Sequence, residues 1–405
     1  MTLTEHHDLR TGDPHWDDGR SPPPGDPLPS GRVDIAIVGA GIMGASIAER
    51  LAARGFGVAL VDRRPPAHGS TAASTALVMW ESDRPLTHLA RSIGAEAAAA
   101  RWRRVHAAVV RLRQRLDVER LGGEAMPRPV VYLEGALLPG AALVEEGEAR
   151  RAAGLPSDWL AADAIAERFG IAPCSALVSR DGFAVDPVAL TLALLARARA
   201  AGATISHPVD VISLSAGAGS ITLDTDAGPL VADQVILASG YERAGLFLPP
   251  AFRLLSSYAI ATAAGTAPLW REDAMIWQAA DPYLYVRTDR DGRVIAGGED
   301  EDFAAAAPRD RRIGAKAGTI AQKLGVLLGG RDIAPQRRWA ATFGASPDGL
   351  PAIGRARNHD RLWLASGFGG NGISFAALAA ELIVVELSGS PDPVAPAFSP
   401  YRFEA

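Results

Sequence analysis

The residues best placed to do chemistry lie near the start of the chain. Residues 35–38 are an apolar, largely β-branched run, the pattern of a strand buried on both faces. Gly39, Gly41 and Gly44 follow as G-x-G-x-x-G, with Ala40, Ile42 and Met43 between them. The first glycine permits a tight turn, the second lets a pyrophosphate approach the backbone, and the third brings helix against sheet. A small-residue helix over 45–53 would then aim its first-turn N–H groups at phosphate. A second strand over 58–61 ends on Asp62, about 20 residues beyond the glycines, where a carboxylate can accept hydrogen bonds from a ribose. This pattern supports binding of a dinucleotide, and by itself it fits a nicotinamide or a flavin cofactor equally.

Further along, candidates recur with longer spacing. Arg63 and Arg64 follow Asp62 and could lie over an adenine, or form solvated surface. Gly69, Ser70, Thr71, Ser74 and Thr75 make a loop of small and hydroxylated residues that a cofactor could pass closely, although helix capping would use the same residues. Ser239 and Gly240 end an apolar strand read over 231–239. Tyr283, Tyr285 and Arg287 alternate with period two, which puts them on one face of a strand, facing either a ligand or solvent. Trp80 and Glu81 could give an aromatic wall and an anion for a substrate ammonium, or a core tryptophan and an ion-paired glutamate. Residues 346–354 read SPDGLPAIG, with Asp348 and Gly349 at the turn. Residues 367–373 then bring Gly369, Gly370, Asn371, Gly372 and Ile373 to the start of another helix. Two helix N-termini of this kind, more than 300 residues apart, suit a ligand with two separated polar ends, which is the shape of FAD.

The elements that must position these residues follow from composition and pattern. The chain has 405 residues, 48% hydrophobic and 21% charged, enough for two domains with ordinary globular cores. Its net charge of −5 argues against nucleic acid or an anionic membrane as partner. No apolar run is long enough to span a bilayer. The single cysteine, Cys174, excludes an intrachain disulfide and a cysteine zinc site, and the cytoplasm is the expected compartment. His6, His7 and His15 lack further ligands, so no metal is expected. Residues 1–30 are proline-rich and read as an extended or disordered leader. Helices are expected over 85–118, where the arginines read as a solvated face, and over 141–153, 161–169, 188–201, 311–328 and 374–387. Strands are expected over 130–133, 204–211, 221–225, 231–239 and within 253–300.

The motifs DIAIVGAGIMGASIAERLAARGFGVALVD, GSTAAST, DGFAVDP, ILASG, YLYVRTDRDGRVIAGGEDED, SPDGLPAIG and SGFGGNGIS occur in that order. In this combination the chain resembles the D-amino-acid oxidase, glycine oxidase and sarcosine oxidase superfamily of FAD-dependent oxidoreductases. The resemblance implies an α/β (α+β) protein. Its Rossmann-like FAD-binding domain would be assembled from 31–85, 181–243 and 337–392. Its substrate domain, from 86–180 and 244–336, would be built on an antiparallel sheet. Gly39, Gly41, Gly44 and Asp62 would hold the ADP half, and Ser70, Thr71, Ser74 and Thr75 would line the pyrophosphate and ribityl path. Val209 would meet adenine through its backbone, and Gly369 to Gly372 would face the flavin ring. Ala341 stands where related enzymes carry a flavin-linking cysteine, so FAD is expected to be non-covalent. Met79, Phe343 and Ser374 stand where relatives carry cationic ligands for a substrate carboxylate. Tyr285 matches a substrate-side tyrosine, with Tyr283 and Arg287 on the same face, and Arg287 is the expected carboxylate partner. The implied activity is oxidation of the C–N bond of a small amine or amino acid to an imine, with O2 or another carrier as electron acceptor and an oligomer possible. C–O oxidation of a hydroxy acid or polyol and a redox-silent accessory flavoprotein are the rival readings.

Overall fold

A computed structural model describes the whole chain except residues 1, 2, 4, 5, 17, 18, 21, 122–124, 243–245 and 405. The strand Val33–Val38 lies between Val58–Val61 and Gly228–Leu237, parallel to both. Thr204–Ser206 extends this sheet beyond 58–61, and His359–Ser366 pairs in parallel with 228–237. Alternation along the first strand divides two cores. Ile35 and Ile37 face a cluster containing the helices, while Ala36 and Val38 face one shared with Val209, Leu223 and Leu364. The helices Ile42–Ala52 and Gly372–Leu387 pack on the same face of this sheet. Alanines at 45, 48, 376, 377 and 380, all buried, let these two helices approach closely.

The second sheet has nine strands in the order 10–12, 337–345, 253–261, 294–301, 284–288, 275–278, 130–133, 176–179 and 157–160. Its pairings are antiparallel, as expected, except that Met275–Gln278 runs parallel to Val130–Leu133. The helix Ala306–Leu327 packs against it. The single helix expected over 85–118 is two, Leu86–Ile93 and Ala95–Glu119, separated at Gly94, whose φ of +87° favours glycine.

The arginines of Ala95–Glu119 do more than face solvent. Arg104 and Arg111 donate to Glu381 of the C-terminal helix, and Arg115 donates to Glu49 of the first helix. Glu381 and Glu49 are 7% and 3% exposed, so these arginines neutralise carboxylates that would otherwise be buried unpaired.

Described residues of the proline-rich leader, expected to be extended or disordered, pack against the rest of the protein. Arg10–Gly12 pairs with Arg337–Ala345 at the edge of the second sheet, and Leu3, Leu9 and Trp16 are buried. His15 meets Asp289 at 2.8 Å, and Arg199 meets Asp26 at 3.0 Å. Apolar residues among the prolines give this stretch something to bury, which composition alone does not convey.

Candidate active site

One cavity runs between the two sheets and collects most of the residues singled out above. Gly39, Gly41, Ile42, Met43, Asp62, Arg63, Arg64, Gly69, Ser70, Thr71, Ser74, Thr75, Val209, Ser239, Gly240, Gly369, Gly370, Asn371, Gly372 and Ile373 all line it. Tyr283 and Tyr285 line it too, beside Trp277, Asp83 and Phe343.

At the first turn, Gly39 has φ +116°, and a Cβ there would collide with the Ala238 carbonyl. A Cβ on Gly44 would strike the Gly39 carbonyl, so this glycine sets the distance between helix and turn. Ala40 and Gly44 lie behind the cavity wall, outside its lining. The Asp62 carboxylate accepts from the Ala40 and Arg64 backbone N–H groups at 2.7 and 2.9 Å. It therefore fixes the turn first, with lone pairs remaining for a ribose. Arg63 and Arg64 both reach Glu242. The Val209 N–H donates to the Asp62 carbonyl at 2.8 Å, which leaves its carbonyl as the backbone group facing any base.

The hydroxylated loop is held from outside. Trp339 donates its indole N–H to the Ala73 carbonyl at 2.9 Å, Trp16 to Ser74 at 2.7 Å, and Arg287 to Thr75 at 2.6 Å. Arg10 donates to the His68 carbonyl at 2.6 Å. Inside, Thr71 Oγ1 accepts from Ile42 N at 3.0 Å and Ser74 Oγ from Ala76 N at 3.0 Å. The buried Ser70 hydroxyl has no partner. An orphaned hydroxyl in the wall of a glycine-lined cavity, with two helix N-termini opening on it, fits the pyrophosphate and ribityl chain of FAD.

At the other end, Gly370 N donates to Asp83 at 2.7 Å, and the Asn371 side chain donates to the Glu81 carbonyl. Ser374 Oγ, at 2.6 Å from the Met79 carbonyl, ties the start of Gly372–Leu387 to the same segment. Asp348 and Gly349 are not in the lining. Arg402 clasps Asp348 at 2.7 and 2.8 Å, and Gly349, with φ +68°, packs so tightly on Ser82 that a Cβ would collide with its hydroxyl. This turn braces the flavin-side glycines from behind.

Three substrate candidates are corrected by the structure. Arg287 is fully buried, donates to the carbonyls of Thr75, Val185 and Thr288, and is absent from the cavity lining, so its guanidinium holds the loop. Trp80 donates to the Arg180 carbonyl and packs on Trp102 and His106. Glu81 is fully buried 3.9 Å from Arg150 on the side away from the cavity lining. Period-two reasoning put Arg287 on the correct face of the sheet, but the Thr75 and Val185 backbones cover that end of the strand.

Sequence reasoning missed Trp277, Asp83 and Asp300. Asp300 lies beside Ser257 and Tyr283, whose side chains act on its carboxyl and which both line the cavity. Burial pushes Asp83 up to about 6 and Asp300 up to about 7, with Asp83 and Asp281 raising Asp300 further. The buried Tyr283 and Tyr285 hydroxyls are raised in turn beside Asp300. A carboxyl whose folded pKa is raised favours folding below its unfolded pKa, near 4, and that contribution is lost as pH rises through 6 to 7. Asp300→Asn removes this loss. In thermal unfolding of the flavin-free protein, the variant gains up to about 4 kcal/mol on the parent between about pH 4 and pH 8, at about 1.4 kcal/mol for each unit of the rise. A parent and variant that shift in parallel over that range would contradict the assignment.

The described residues contain no cluster suited to a metal, and none of their helices is long and apolar enough to cross a membrane. Cys174 lies against the Glu134 and Ser175 carbonyls, outside the cavity lining. A family model described as FAD dependent oxidoreductase (DAO) matches residues 34–385. The chain belongs to this family. It is 24% identical over 374 residues to the glycine oxidase of Bacillus licheniformis, covering 89% of this chain and 94% of that one. It is 26% identical over 408 residues to the D-amino acid dehydrogenase of Cereibacter sphaeroides, covering 86% and 90%. Among solved structures, glycine oxidase from Geobacillus kaustophilus superposes with a TM-score of 0.75 at 21% identity, covering 92% and 100%. The chain is thus an FAD-dependent oxidoreductase with the fold of these flavoenzymes.

Proposed function

We propose that this flavoenzyme oxidises the C–N bond of a small amine or amino acid to an imine, which water then hydrolyses. The observation that carries the reading is one cavity with a dinucleotide turn at one end and Trp277, Tyr283, Tyr285 and Asp83 at the other, beside the Gly369–Asn371 turn. The names of the relatives support it, being those of an amino-acid oxidase and an amino-acid dehydrogenase.

FAD supplies the hydride acceptor. Every other requirement falls to the chain. The glycine turn and the first helix terminus would hold the phosphates, and the clasped loop at 73–75 would line the path of the middle of the cofactor. The N-terminus of Gly372–Leu387 puts a positive dipole end beside the flavin ring, where negative charge must be accommodated on reduction. Tyr283, Tyr285 and Trp277 form a wall that orients the amine carbon and excludes water. With its raised pKa, Asp300 can take the ammonium proton through the Tyr283 or Ser257 hydroxyl before the C–H bond breaks. We assign FAD as non-covalent, because Ala341 lines the cavity and Cys174 does not. We assign the cytoplasm on the single cysteine.

The test is anaerobic mixing of the purified yellow protein with D- and L-amino acids, N-methyl amino acids, plain amines and hydroxy acids. Bleaching of the flavin by an amine-bearing compound is expected. Bleaching by hydroxy acids alone would replace C–N with C–O oxidation.

A further inference from the structure

The chain's other charged groups locate the substrate end of the cavity. Among the described residues, the basic side chains of its lining are Arg63, Arg64 and His68, all in the segment that follows Asp62 at the end proposed for the adenosine. Among the described residues, the lining near Trp277, Tyr283, Tyr285 and Phe343 holds no cation, and Arg287 is turned into the protein. The chain's two lysines, Lys316 and Lys323, both pair with Glu299 on the helix side of the second sheet.

This end holds anions instead. Asp83 is in the lining beside Gly370. Asp300 stands behind the Ser257 and Tyr283 hydroxyls, and its Oδ1 is shielded from solvent with no partner. The backbone is built to bring it there. The register between strands 253–261 and 294–301 slips between Ser256 and Tyr258, whose partners are Glu301 and Gly298, so that Glu299 and Asp300 lie opposite the single residue Ser257. Glu299 takes φ +59° and leaves toward the lysines, so Asp300 inherits the cavity-facing position. The second sign of a ligand is Trp277, which is 4% exposed and lines the cavity with an indole N–H that has no partner. Trp277 is opposite Tyr285, one pleat repeat (about 7 Å) along the sheet from Tyr283 and Asp300.

Resting on the amine-oxidation reading above, we propose that the substrate is a net cationic amine with no free α-carboxylate, its ammonium held by Asp83 and the Asp300 network and a neutral acceptor such as an amide or hydroxyl oxygen meeting the Trp277 N–H. A carboxylate at this end would face two acids with no arginine or lysine among the described lining residues there to compensate it. An ammonium there gains both charges, and an aromatic wall favours it further.

Probes that cannot be oxidised separate binding from chemistry. 2-Aminoisobutyramide and 2-aminoisobutyrate have the same shape, lack hydrogen on the carbon next to nitrogen, and differ in net charge. Calorimetric titration of the flavin-loaded protein is expected to show the amide binding at least about tenfold more tightly than the acid. Asp83→Asn should reduce that preference below about threefold, and Asp83→Glu should keep most of it. Because Asp83 also braces Gly370, Asp300→Asn is the second variant, and it should weaken the amide while flavin content stays at the parent level. Equal or tighter binding of the acid, a preference that survives both variants, or no binding of either probe up to about 50 mM would overturn the proposal. Failure of the amine-oxidation reading shows separately, as bleaching by hydroxy acids alone whatever the calorimetry gives.

Discussion

Arg287→Met is expected to strip the protein of FAD and to destabilise it by about 3–6 kcal/mol. Arg287 is fully buried and donates to three carbonyls, those of Thr75, Val185 and Thr288. Its guanidinium also packs 5.2 Å from the Trp16 ring, and Asp289, held by His15, is the carboxylate that most favours its charge. Methionine fills similar volume, so the loss is polar and not a cavity. Each buried carbonyl left without a donor costs about 1–3 kcal/mol, and Asp289 loses a cation. The Thr75 carbonyl belongs to the loop that lines the cavity proposed for the cofactor, so loosening it should weaken FAD at least about 100-fold, nearly 3 kcal/mol. Flavin absorbance at purification and reconstitution of the apoprotein measure this. A fully yellow variant with an unchanged melting temperature and a raised KM would instead return Arg287 to substrate binding.

The second large effect is expected from Gly44→Val. A side chain there would occupy the space of the Gly39 carbonyl, and Ile37 Cγ2 lies 3.4 Å from the new Cβ. Gly39 cannot retreat, because its N–H donates to the Val61 carbonyl at 2.8 Å and its own Cβ side is closed by Ala238. The helix must therefore lift from the sheet, which costs about 1–3 kcal/mol or more and carries its N-terminus away from the phosphates. Purified variant should hold about a tenth or less of the parent's flavin. Gly318→Ala is the matched control. Nothing lies within 4 Å of that Cβ in the helix Ala306–Leu327, so it should gain about 0.5–1 kcal/mol and keep its FAD.

The cofactor end of the site was largely legible in the sequence, because backbone makes it. Glycine spacing, a strand's apolar run and a terminal acid are constraints on chain geometry, and they read locally. The substrate end is made of side chains from five strands and two loops, whose meeting no local pattern encodes. Trp277 and Tyr285 become neighbours through a cross-strand register, and Asp300 reaches the cavity side through a one-residue bulge. Strict alternation would have sent Glu299 there in its place. Arg287 shows the converse case, with the face correctly inferred and its covering loops invisible to periodicity. For the leader, proline content leaves extended and disordered forms open, because Leu3, Leu9 and Trp16 are apolar residues that find partners only in the folded chain.

The pairing of Arg10–Gly12 with Arg337–Ala345, and the meeting of the Gly39 and Gly369 turns across more than 300 residues, bear on how the protein is made. A ribosome lays down the first phosphate-binding turn early, yet the opposite wall of the cofactor's chamber emerges only near the end of synthesis. Until then the first βαβ unit lacks the helix that covers it, and its apolar face depends on chaperones or on speed. Yellow colour in a cell extract therefore reports chains finished through Leu387, and a chain nicked or stalled before that point should be colourless however well its first half folds.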